Sequence, residues 1–264
     1  MSHRWDPMLY AEYADERGRP FGELLARVGA ETPRTVVDLG CGTGALTSTV
    51  RRRWPSAEVR GVDSSPEMIE RADRSTGVTY ELADLRDWRP RQPVDVLVSN
   101  AALQWVPGHL DLLGGLVDAV ARGGWLAFQV PGNFDEPSHA LRRELAADPR
   151  FVAHLAGVAV PAAHDPGTYL RVLQELGCTV DAWETTYLHV LTGEDPVFRW
   201  VVGTGARPTL QALPDGLRAE FEGELRHALR AAYSSGPHGT VLPFRRVFVV
   251  ARTGSSGRPQ LPIA

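Results

Sequence analysis

The sequence contains no lysine, so all 28 of its basic residues are arginine. It has only two cysteines, Cys41 and Cys178, which are too few for a disulfide framework and typical of a reducing compartment. No stretch approaches the roughly 18 uninterrupted apolar residues that a transmembrane helix needs. The first twenty residues have no apolar core, so no secretory signal is expected. These absences predict a cytoplasmic protein.

Charge and composition limit the classes of partner. The net charge of −4 argues against bulk binding of nucleic acid, which requires a basic surface. An apolar fraction of 43% over 264 residues is that of an ordinary globular chain. Because every cation is a planar guanidinium, local binding of carboxylates is favoured. We therefore predict a small-molecule ligand, with no nucleic acid, no membrane and no obligate protein partner, and nothing requires more than a monomer.

Strand-like and helix-like segments alternate over the first half of the chain. Helices are predicted from a glycine-rich loop to Trp54, from Pro66 with Ser65 as its N-cap, and over 112–120. The short apolar runs between them are strands at 35–40, 57–63, 78–84, 94–100 and 125–131. This alternation predicts an α/β fold with a doubly wound, mostly parallel, Rossmann-like sheet.

The pattern changes after residue 131. Helices are predicted at 137–147, 166–176, 195–203 and 215–233, with two more strands at 179–190 and 242–252. We interpret residues 31–252 as one domain whose late strands complete the sheet, with a helical cap from insertions at about 139–165 and 191–236. Residues 1–30 are an N-terminal helical segment covering the site, with one or two helices between Trp5 and Val28 and breaks expected at Pro7 and Pro20, and 253–264 form a polar tail.

A glycine-rich loop, Asp38-Leu39-Gly40-Cys41-Gly42-Thr43-Gly44, joins the first strand to its helix. Such loops let the backbone approach a nucleotide closely. With Ala45 the loop also fits the relaxed dinucleotide pattern G-x-G-x-x-G/A, so binding of NAD is one alternative. An acid at Asp38 opposes an anionic pyrophosphate but suits the sulfonium and ammonium of S-adenosylmethionine. The loop therefore favours S-adenosylmethionine.

Two further acids stand at the ends of the next strands. Asp63 ends the second strand, where a carboxylate can accept from both ribose hydroxyls. Asp84 ends the third strand, where it can accept from the adenine amine while Leu85 supplies a backbone donor. The complete predicted cofactor set is Asp38, Gly40, Cys41, Gly42, Gly44, Asp63, Ser64, Met68, Asp84, Leu85, Asn100 and Ala101.

Short motifs along the chain resemble known enzyme families. VVDLGCGTG, GVDSSPEMI and ADLRDW resemble the motifs of class I S-adenosylmethionine-dependent methyltransferases, which implies a seven-stranded sheet with an antiparallel last strand. WDPMLY, ERGRP, NAALQWVPGH, QVPGNFDEPSH, WVVGTGARP and FRRVFVVAR, spanning roughly residues 4 to 252, resemble the trans-aconitate methyltransferase family. That resemblance implies carboxyl O-methylation of a small polycarboxylic acid, giving the monomethyl ester of trans-aconitate and S-adenosylhomocysteine.

Several other methyl acceptors lack their usual residues. The turn after the fourth strand, Ser99-Asn100-Ala101-Ala102, is not the [ND]-P-P-[YF] turn of enzymes that methylate base amino groups. Neither cysteine is placed as the nucleophile that pyrimidine methylation needs, and no metal ligand set is found. A carboxylate acceptor is already ionised, so it needs no general base. We predict catalysis by positioning and desolvation, without a catalytic side chain.

The predicted substrate site combines arginines with aromatic and amide side chains. Arg207 is the strongest of these candidates, whereas Arg17 and Arg19 have an equally good interpretation as surface ion-pair partners of Glu12, Asp15 or Glu16. The complete set is Tyr10, Arg17, Arg19, Gln104, Trp105, Gln129, Asn133, Tyr187, His189, Trp200, Arg207 and Arg246.

Two alternative functions remain open from the sequence. The cap could accept another small acid or a hydroxyl metabolite, because family members differ mainly in cap residues. The chain could also bind S-adenosylmethionine as a non-catalytic sensor. Failure to methylate any acid would favour the sensor.

Overall fold

The computed structural model describes residues 14–255, except for the side chains of 14–17. Within that range no helix has the length and apolar character needed to cross a bilayer. The described chain divides into two compact units. We call residues 17–130, 163–184 and 247–255 the sheet unit, and residues 14–16, 131–162 and 185–246 the helical unit.

Helices and strands alternate regularly up to residue 131. The elements there are α1 (Ala14–Arg27), β1 (Thr35–Leu39), α2 (Thr47–Arg53), β2 (Glu58–Asp63), α3 (Pro66–Glu70), β3 (Thr79–Leu82), β4 (Val94–Asn100), α4 (Leu113–Asp118) and β5 (Val120–Pro131). Short 3-10 turns lie at Arg74–Thr76, Leu103–Trp105 and His109–Leu112.

Helices dominate the rest of the chain. The elements are α5 (Pro137–Ala146), α6 (Pro149–Val152), α7 (Pro166–Glu175), β6 (Thr179–Leu191), α8 (Pro196–Val202), α9 (Arg207–Ala212), α10 (Asp215–Ala232), β7 (Ser235–Gly236) and β8 (Gly239–Arg252). Strands β6 and β8 have residues in both units.

The strands form one sheet in the order β3-β2-β1-β4-β5-β8-β6. Strand β1 is parallel to β2 and β4, β2 to β3, and β4 to β5. The prediction of a doubly wound, mostly parallel sheet is confirmed. Within the described residues the short β7, which pairs with β8 in an antiparallel hairpin, adds an eighth strand to the seven expected.

The strand order reverses beside β1. The chain runs outward from β1 through β2 to β3 and then returns to β4 on the other side of β1. In open α/β sheets, ligands bind at this switch point, outside the carboxyl ends of the strands. Because Asp38 is in register with Gly61 and Val98, and Asp63 with Leu82, the ends of these strands share one edge.

The core of the sheet unit is built from strands buried on both faces. Near-continuous Val, Leu and Ile runs are typical of parallel strands covered on each side. Helix α7 contributes Tyr169 and Leu173 to this core, both fully buried. The strand residues of the core include Val37, Leu39, Val62, Leu97, Leu126, Phe128, Val247 and Val249.

Two details of the sequence prediction are wrong. Pro20 was expected to break the N-terminal helix, but it lies inside α1. A proline in a helix removes one hydrogen bond and crowds the preceding turn. Here the helix continues because Pro20, Phe21, Leu24 and Leu25 are all buried in packing contacts. Two short helices, α6 and α9, were not predicted because four and six residues carry too little periodicity.

The helical unit has its own apolar core. Phe151 packs edge-to-face on Phe221 with ring centroids 5.1 Å apart, and Trp200 is almost fully buried. The Tyr233 hydroxyl accepts a hydrogen bond from the backbone N–H of Ser138 near the start of α5. Leu225 and Leu229 of α10 complete this cluster. The predicted scheme of one domain with a cap at 139–165 and 191–236 stays a prediction.

Candidate active site

The loop after β1 contains glycines at positions where a side chain would not fit. Gly40, Gly42 and Gly44 have φ values of +81°, +57° and +75°. A Cβ on Gly40 would lie 2.2 Å from the Cβ of Ala102, so the loops after β1 and β4 meet there. A Cβ on Gly44 would lie 2.1 Å from the Tyr80 hydroxyl. Glycine is required at both positions by conformation and by space.

Asp38 is a buried carboxylate at the end of β1. Its side chain accepts a 2.6 Å hydrogen bond from the Thr47 hydroxyl in the first turn of α2. Burial raises the pKa of Asp38 to about 6, with a further increase from the nearby charge of Asp63, while the Thr47 hydrogen bond lowers it. Within the described residues, no cation pairs with this carboxylate. The site therefore suits a ligand that brings a positive charge.

Asp63 connects the two turns at this edge of the sheet. Its Oδ2 accepts from the backbone N–H of Gly42 and its Oδ1 from that of Ser65, both at 2.9 Å. The loop is also held by the Val62 carbonyl, which accepts from Gly40 and Cys41. Each carboxylate oxygen has a second lone pair for a ligand hydroxyl. The ribose role of Asp63 remains compatible with this geometry and stays a prediction.

The carboxylate of Asp84 is engaged by a neighbour that the sequence analysis did not consider. Arg86 donates to it through Nε at 3.0 Å and Nη2 at 2.5 Å, and its backbone N–H donates at 2.9 Å. These hydrogen bonds, with the Arg86 charge, hold the pKa of Asp84 below its usual value. A ligand amine at Asp84 would have to share this carboxylate with an exposed guanidinium.

The loop after β4 contains a strained residue and two polar side chains. Ala101 has φ +53°, which is unusual for a residue with a Cβ. Gln104 Nε2 donates to the Ala101 carbonyl at 2.6 Å and so stabilises this backbone. Within residues 14–255, Gln104 Oε1 and Asn100 Oδ1 are buried without a hydrogen-bond partner. Buried polar atoms without partners indicate a place where a ligand or water binds.

The other predicted cofactor residues lie around this edge. Cys41 donates from Sγ to the Gly42 carbonyl, and burial together with nearby carboxylates raises the pKa of its thiol. The thiol is therefore not a nucleophile at neutral pH. Ser65 caps α3 through the Met68 N–H, as predicted. Ser64 is exposed, whereas Met68 and Leu85 are half-buried.

Aromatic side chains cluster in the helical unit. His189 stacks on Trp200 at 4.8 Å between ring centroids and on Tyr187 at 6.2 Å. Phe244, which the sequence analysis missed, lies 5.4 Å from Trp200. The Arg246 guanidinium lies 4.4 Å from the Phe244 ring centroid and is almost fully buried. Phe244 thus contacts three predicted substrate residues, and Tyr187 joins them through His189.

A second polar group in the helical unit centres on α5. Asn133 is 1% exposed, and neither its amide nitrogen nor its amide oxygen has a hydrogen-bond partner in the described part of the chain. Arg142 is 7% exposed and donates from Nη1 to Thr209 Oγ1 at 3.2 Å. His139 lies on the same helix, and its pKa falls to about 3 because it is buried and close to Arg142 and Arg143.

Comparison with known proteins decides the family. A family model described as a methyltransferase domain matches residues 10–183. The trans-aconitate 2-methyltransferase of Streptomyces avermitilis is 52% identical over 94% of this chain and 96% of its own length. That of Mycobacterium tuberculosis is 46% identical over 96% of this chain and 98% of its own. The chain belongs to the trans-aconitate 2-methyltransferase family. It is an S-adenosylmethionine-dependent methyltransferase.

More distant solved structures share the fold of this family member. The YcgJ protein of Bacillus subtilis has a TM-score of 0.61 at 11% identity, covering 90% of this chain and 99% of its own. A geranyl diphosphate C-methyltransferase of Streptomyces coelicolor, solved with S-adenosylhomocysteine, has a TM-score of 0.53 at 17% identity and covers 92% and 82% of the two chains. At these identities the likeness concerns the fold alone.

The remaining predicted substrate residues of this trans-aconitate methyltransferase family member lie in different places. Arg19 forms an ion pair with Glu23 at 2.9 Å, and the side chains of the upstream acids considered above lie outside the described residues. Arg207 is half-buried at the start of α9, and Trp105 is half-buried after β4. Gln129 lies within β5, in register with Asn100. Tyr10 and the side chain of Arg17 lie outside the described residues.

Two candidate residues, Arg142 and Tyr80, were not predicted from the sequence. Arg142 stands beside Arg143 on a short helix, and nothing in the local pattern shows which of them is buried. Tyr80 is a half-buried residue of β3, a strand without a buried position, and the strand pattern does not single it out. Only tertiary contacts distinguish them. Among the described residues, no cluster of three or more His, Cys, Asp or Glu side chains could hold a metal ion.

Proposed function

We propose that the chain transfers the methyl group of S-adenosylmethionine to one carboxylate of trans-aconitate and gives its monomethyl ester. The main support is the 52% identity to a trans-aconitate 2-methyltransferase, which extends over 94% of the chain and therefore includes the helical unit. Buried arginines in that unit suit an acceptor with several negative charges.

We assign S-adenosylmethionine binding to the edge of the sheet formed by β1, β2 and β4. Nothing lies within 4 Å of a Cβ placed on Gly42, so a ligand can meet the backbone there, and Asp38 provides a buried negative charge. Asp63 is placed for the ribose hydroxyls, and the Asn100 side chain has a buried oxygen available for a donor. These features fit an adenosyl sulfonium better than the anionic pyrophosphate of NAD.

We assign acid binding to the helical unit. S-Adenosylmethionine supplies an electrophilic methyl group on a positively charged sulfur, and an ionised carboxylate accepts it without loss of a proton. The chain must therefore orient the acid and exclude water, and no side chain is assigned as general base. Trp200, His189 and Phe244 provide apolar surface for this purpose, and Arg207 and Arg246 provide positive charge.

We also propose that the enzyme acts in the cytoplasm on a small molecule and needs no protein partner. Cys41 and Cys178 form no disulfide, which is in keeping with a reducing compartment.

The test is transfer of labelled methyl from S-adenosylmethionine to trans-aconitate, beside cis-aconitate, citrate and isocitrate. The expected product carries a base-labile label, because esters hydrolyse in base, and forms preferentially from trans-aconitate. Isothermal calorimetry with S-adenosylmethionine, run on the same preparation, establishes that the protein binds its cofactor.

Two results would contradict the proposal. Label on none of the four acids, in protein that binds the cofactor, removes trans-aconitate as the substrate and favours a hydroxyl acceptor or a sensor. Base-stable label on any of them removes carboxyl esterification.

A further inference from the structure

Arg142 is a buried cation that lacks an anionic partner. A guanidinium has five N–H donors. In the part of the chain that the structure describes, the only acceptor for Arg142 is the neutral Thr209 hydroxyl, and its Nε is buried without a hydrogen bond. No carboxylate of the described residues lies within ion-pair distance. Leaving a buried charge unpaired is costly, so such a residue is retained for another reason.

Other side chains near Arg142 do not supply the missing charge. His139, one turn earlier on α5, is neutral because burial and two arginines depress its pKa. Its ring contacts Phe134 with centroids 5.0 Å apart, and Gly205 packs so closely that a Cβ there would lie 3.0 Å from the ring. The His139 Nδ1 atom also has no partner among described residues. The charged neighbour of Arg142 is a second arginine, Arg143, so these described side chains supply no negative charge to Arg142.

Asn133 is the second, independent observation that indicates a ligand. It lies next to Phe134, the residue that contacts His139, and both atoms of its amide group are buried without partners. The Asn133 amide and the Nε of Arg142 are thus both buried donors without an acceptor among the described residues, and a carboxylate can accept from two donors through its two oxygens. Arg143, the next residue on α5, is exposed and instead donates to the Phe134 carbonyl.

We propose that Arg142 binds a non-reacting carboxylate of the acid substrate, with Asn133 as a neighbouring amide donor and Thr209 as the residue that orients the guanidinium. This assignment rests on the proposed function and identifies a specificity-determining residue within it. The guanidinium selects acids with more than one carboxylate, because its own charge is compensated only when a second carboxylate is present.

The decisive experiment measures equilibrium binding of acids to protein saturated with S-adenosylhomocysteine, so that no turnover occurs. The variants are Arg142→Gln, Arg142→Lys and, as a matched control, Arg143→Gln on the exposed side of the same helix. Arg142→Gln is expected to weaken trans-aconitate binding about 100-fold, as removal of one partner of a buried charge pair does. Arg142→Lys recovers part of this loss, and Arg143→Gln changes binding less than threefold.

Itaconate, mesaconate and cis-glutaconate each lack a different carboxylate of trans-aconitate. For the analogue that lacks the carboxylate bound by Arg142, Arg142→Gln is expected to change affinity by less than about fivefold, because the pair no longer exists to be broken. Equal losses for all three analogues would show that the residue acts without contacting a particular carboxylate.

Thermal stability separates binding from a structural role. In protein without acid, Arg142→Met is expected to keep or raise the melting temperature, since it removes an uncompensated buried charge. A lower melting temperature with unchanged acid affinity would overturn the assignment. So would an Arg142→Gln protein that binds trans-aconitate as tightly as Arg143→Gln. If wild-type protein itself binds and methylates none of the acids, the proposed function fails as well, and the two failures are distinguishable.

Discussion

The hydroxyl of Thr47 donates a 2.6 Å hydrogen bond to the buried carboxylate of Asp38. Among the described residues, Thr47 is the side-chain donor to this carboxylate. Burial nevertheless raises the pKa of Asp38 from 3.8 to about 6. An acid in this state is poorly compensated, and it stands at the end of β1 beside the glycine-rich loop. The ionised Asp38 carboxylate is therefore available to a cationic ligand, and its burial destabilises the folded protein.

Asp38 is expected to make the cofactor-free protein less stable at higher pH. Because its folded pKa lies above the usual 3.8, its contribution to stability is complete below about pH 4 and is lost as the pH rises through about 6. The difference between pKa values of 3.8 and about 6 corresponds to about 3 kcal/mol of the free energy of unfolding. Asp38→Asn should therefore be more stable than wild type at pH 8 and nearly equal to it at pH 4, as measured by urea unfolding.

Addition of S-adenosylmethionine should reverse the order of the two proteins. Its positive charges compensate Asp38 but not Asn, so wild type gains more in melting temperature. A larger gain in Asp38→Asn would contradict the assignment of Asp38 to the cofactor.

Gly44→Ala and Gly42→Ala are expected to differ in cost. Both positions have positive φ, which costs an alanine about 1–2 kcal/mol. At Gly44 the new methyl group would also collide with Tyr80, whereas nothing lies within 4 Å of it at Gly42. Gly44→Ala should lose about 3 kcal/mol or more of the free energy of unfolding and most cofactor affinity. Equal losses in denaturant titrations would show that only backbone strain matters.

Asp63→Ala is expected to reduce S-adenosylmethionine affinity by at least tenfold, since it removes the acceptor of the Gly42 N–H and of the proposed ribose contact. Asp73→Ala is the matched control. Asp73 accepts from the Ser75 N–H at 2.9 Å, as Asp63 does from Ser65, but stands outside the candidate site. Calorimetry should find that Asp73→Ala binds S-adenosylmethionine with unchanged affinity. An Asp63→Ala protein that binds as tightly as wild type would eliminate the ribose assignment.

Arg86→Ala is expected to increase S-adenosylmethionine affinity, by about two- to fivefold. Arg86 occupies both oxygens of Asp84, and the pair is exposed enough that breaking it costs little. If Asp84 accepts from the adenine amine, removal of this competitor frees the acceptor. Asp84→Ala should then weaken binding in the same calorimetric assay. Weaker binding in Arg86→Ala would mean that Arg86 itself supports the cofactor.

Arg207→Ala is expected to raise KM for the acid at least tenfold while S-adenosylmethionine affinity stays unchanged, because Arg207 lies in the helical unit. Steady-state kinetics and calorimetry measure the two quantities separately. Arg199→Ala, which changes an exposed arginine of α8, serves as the control. Loss of both quantities in Arg207→Ala would assign it to the fold instead.

Much of the fold was predictable because its determinants are local in sequence. Strand β4 begins and ends where its apolar run does, and Ser65 caps α3 as its sequence indicates. Whether a residue lies inside a helix is harder to predict when tertiary packing decides it. Pro20 lies within a helix because the burial of its neighbours outweighs its local preference.

The candidate site likewise has some features set by local sequence and others set by tertiary packing. The acids at the strand ends were found because parallel strands bring their carboxyl ends to one edge, which makes Asp38 and Asp63 neighbours. The competing role of Arg86 at Asp84 and the contact of Phe244 with Trp200 depend on side-chain positions that no spacing rule supplies.

The sequence by itself determined the class of chemistry, because a glycine-rich loop followed by acids at successive strand ends is a local pattern with a physical cause. Only the tertiary structure decided which arginine of an adjacent pair is buried. Arg142 and Arg143 are identical in type and one residue apart, yet one is buried and the other is exposed. Burial depends on what packs against a helix face, and α9 with Thr209 comes from a distant part of the chain.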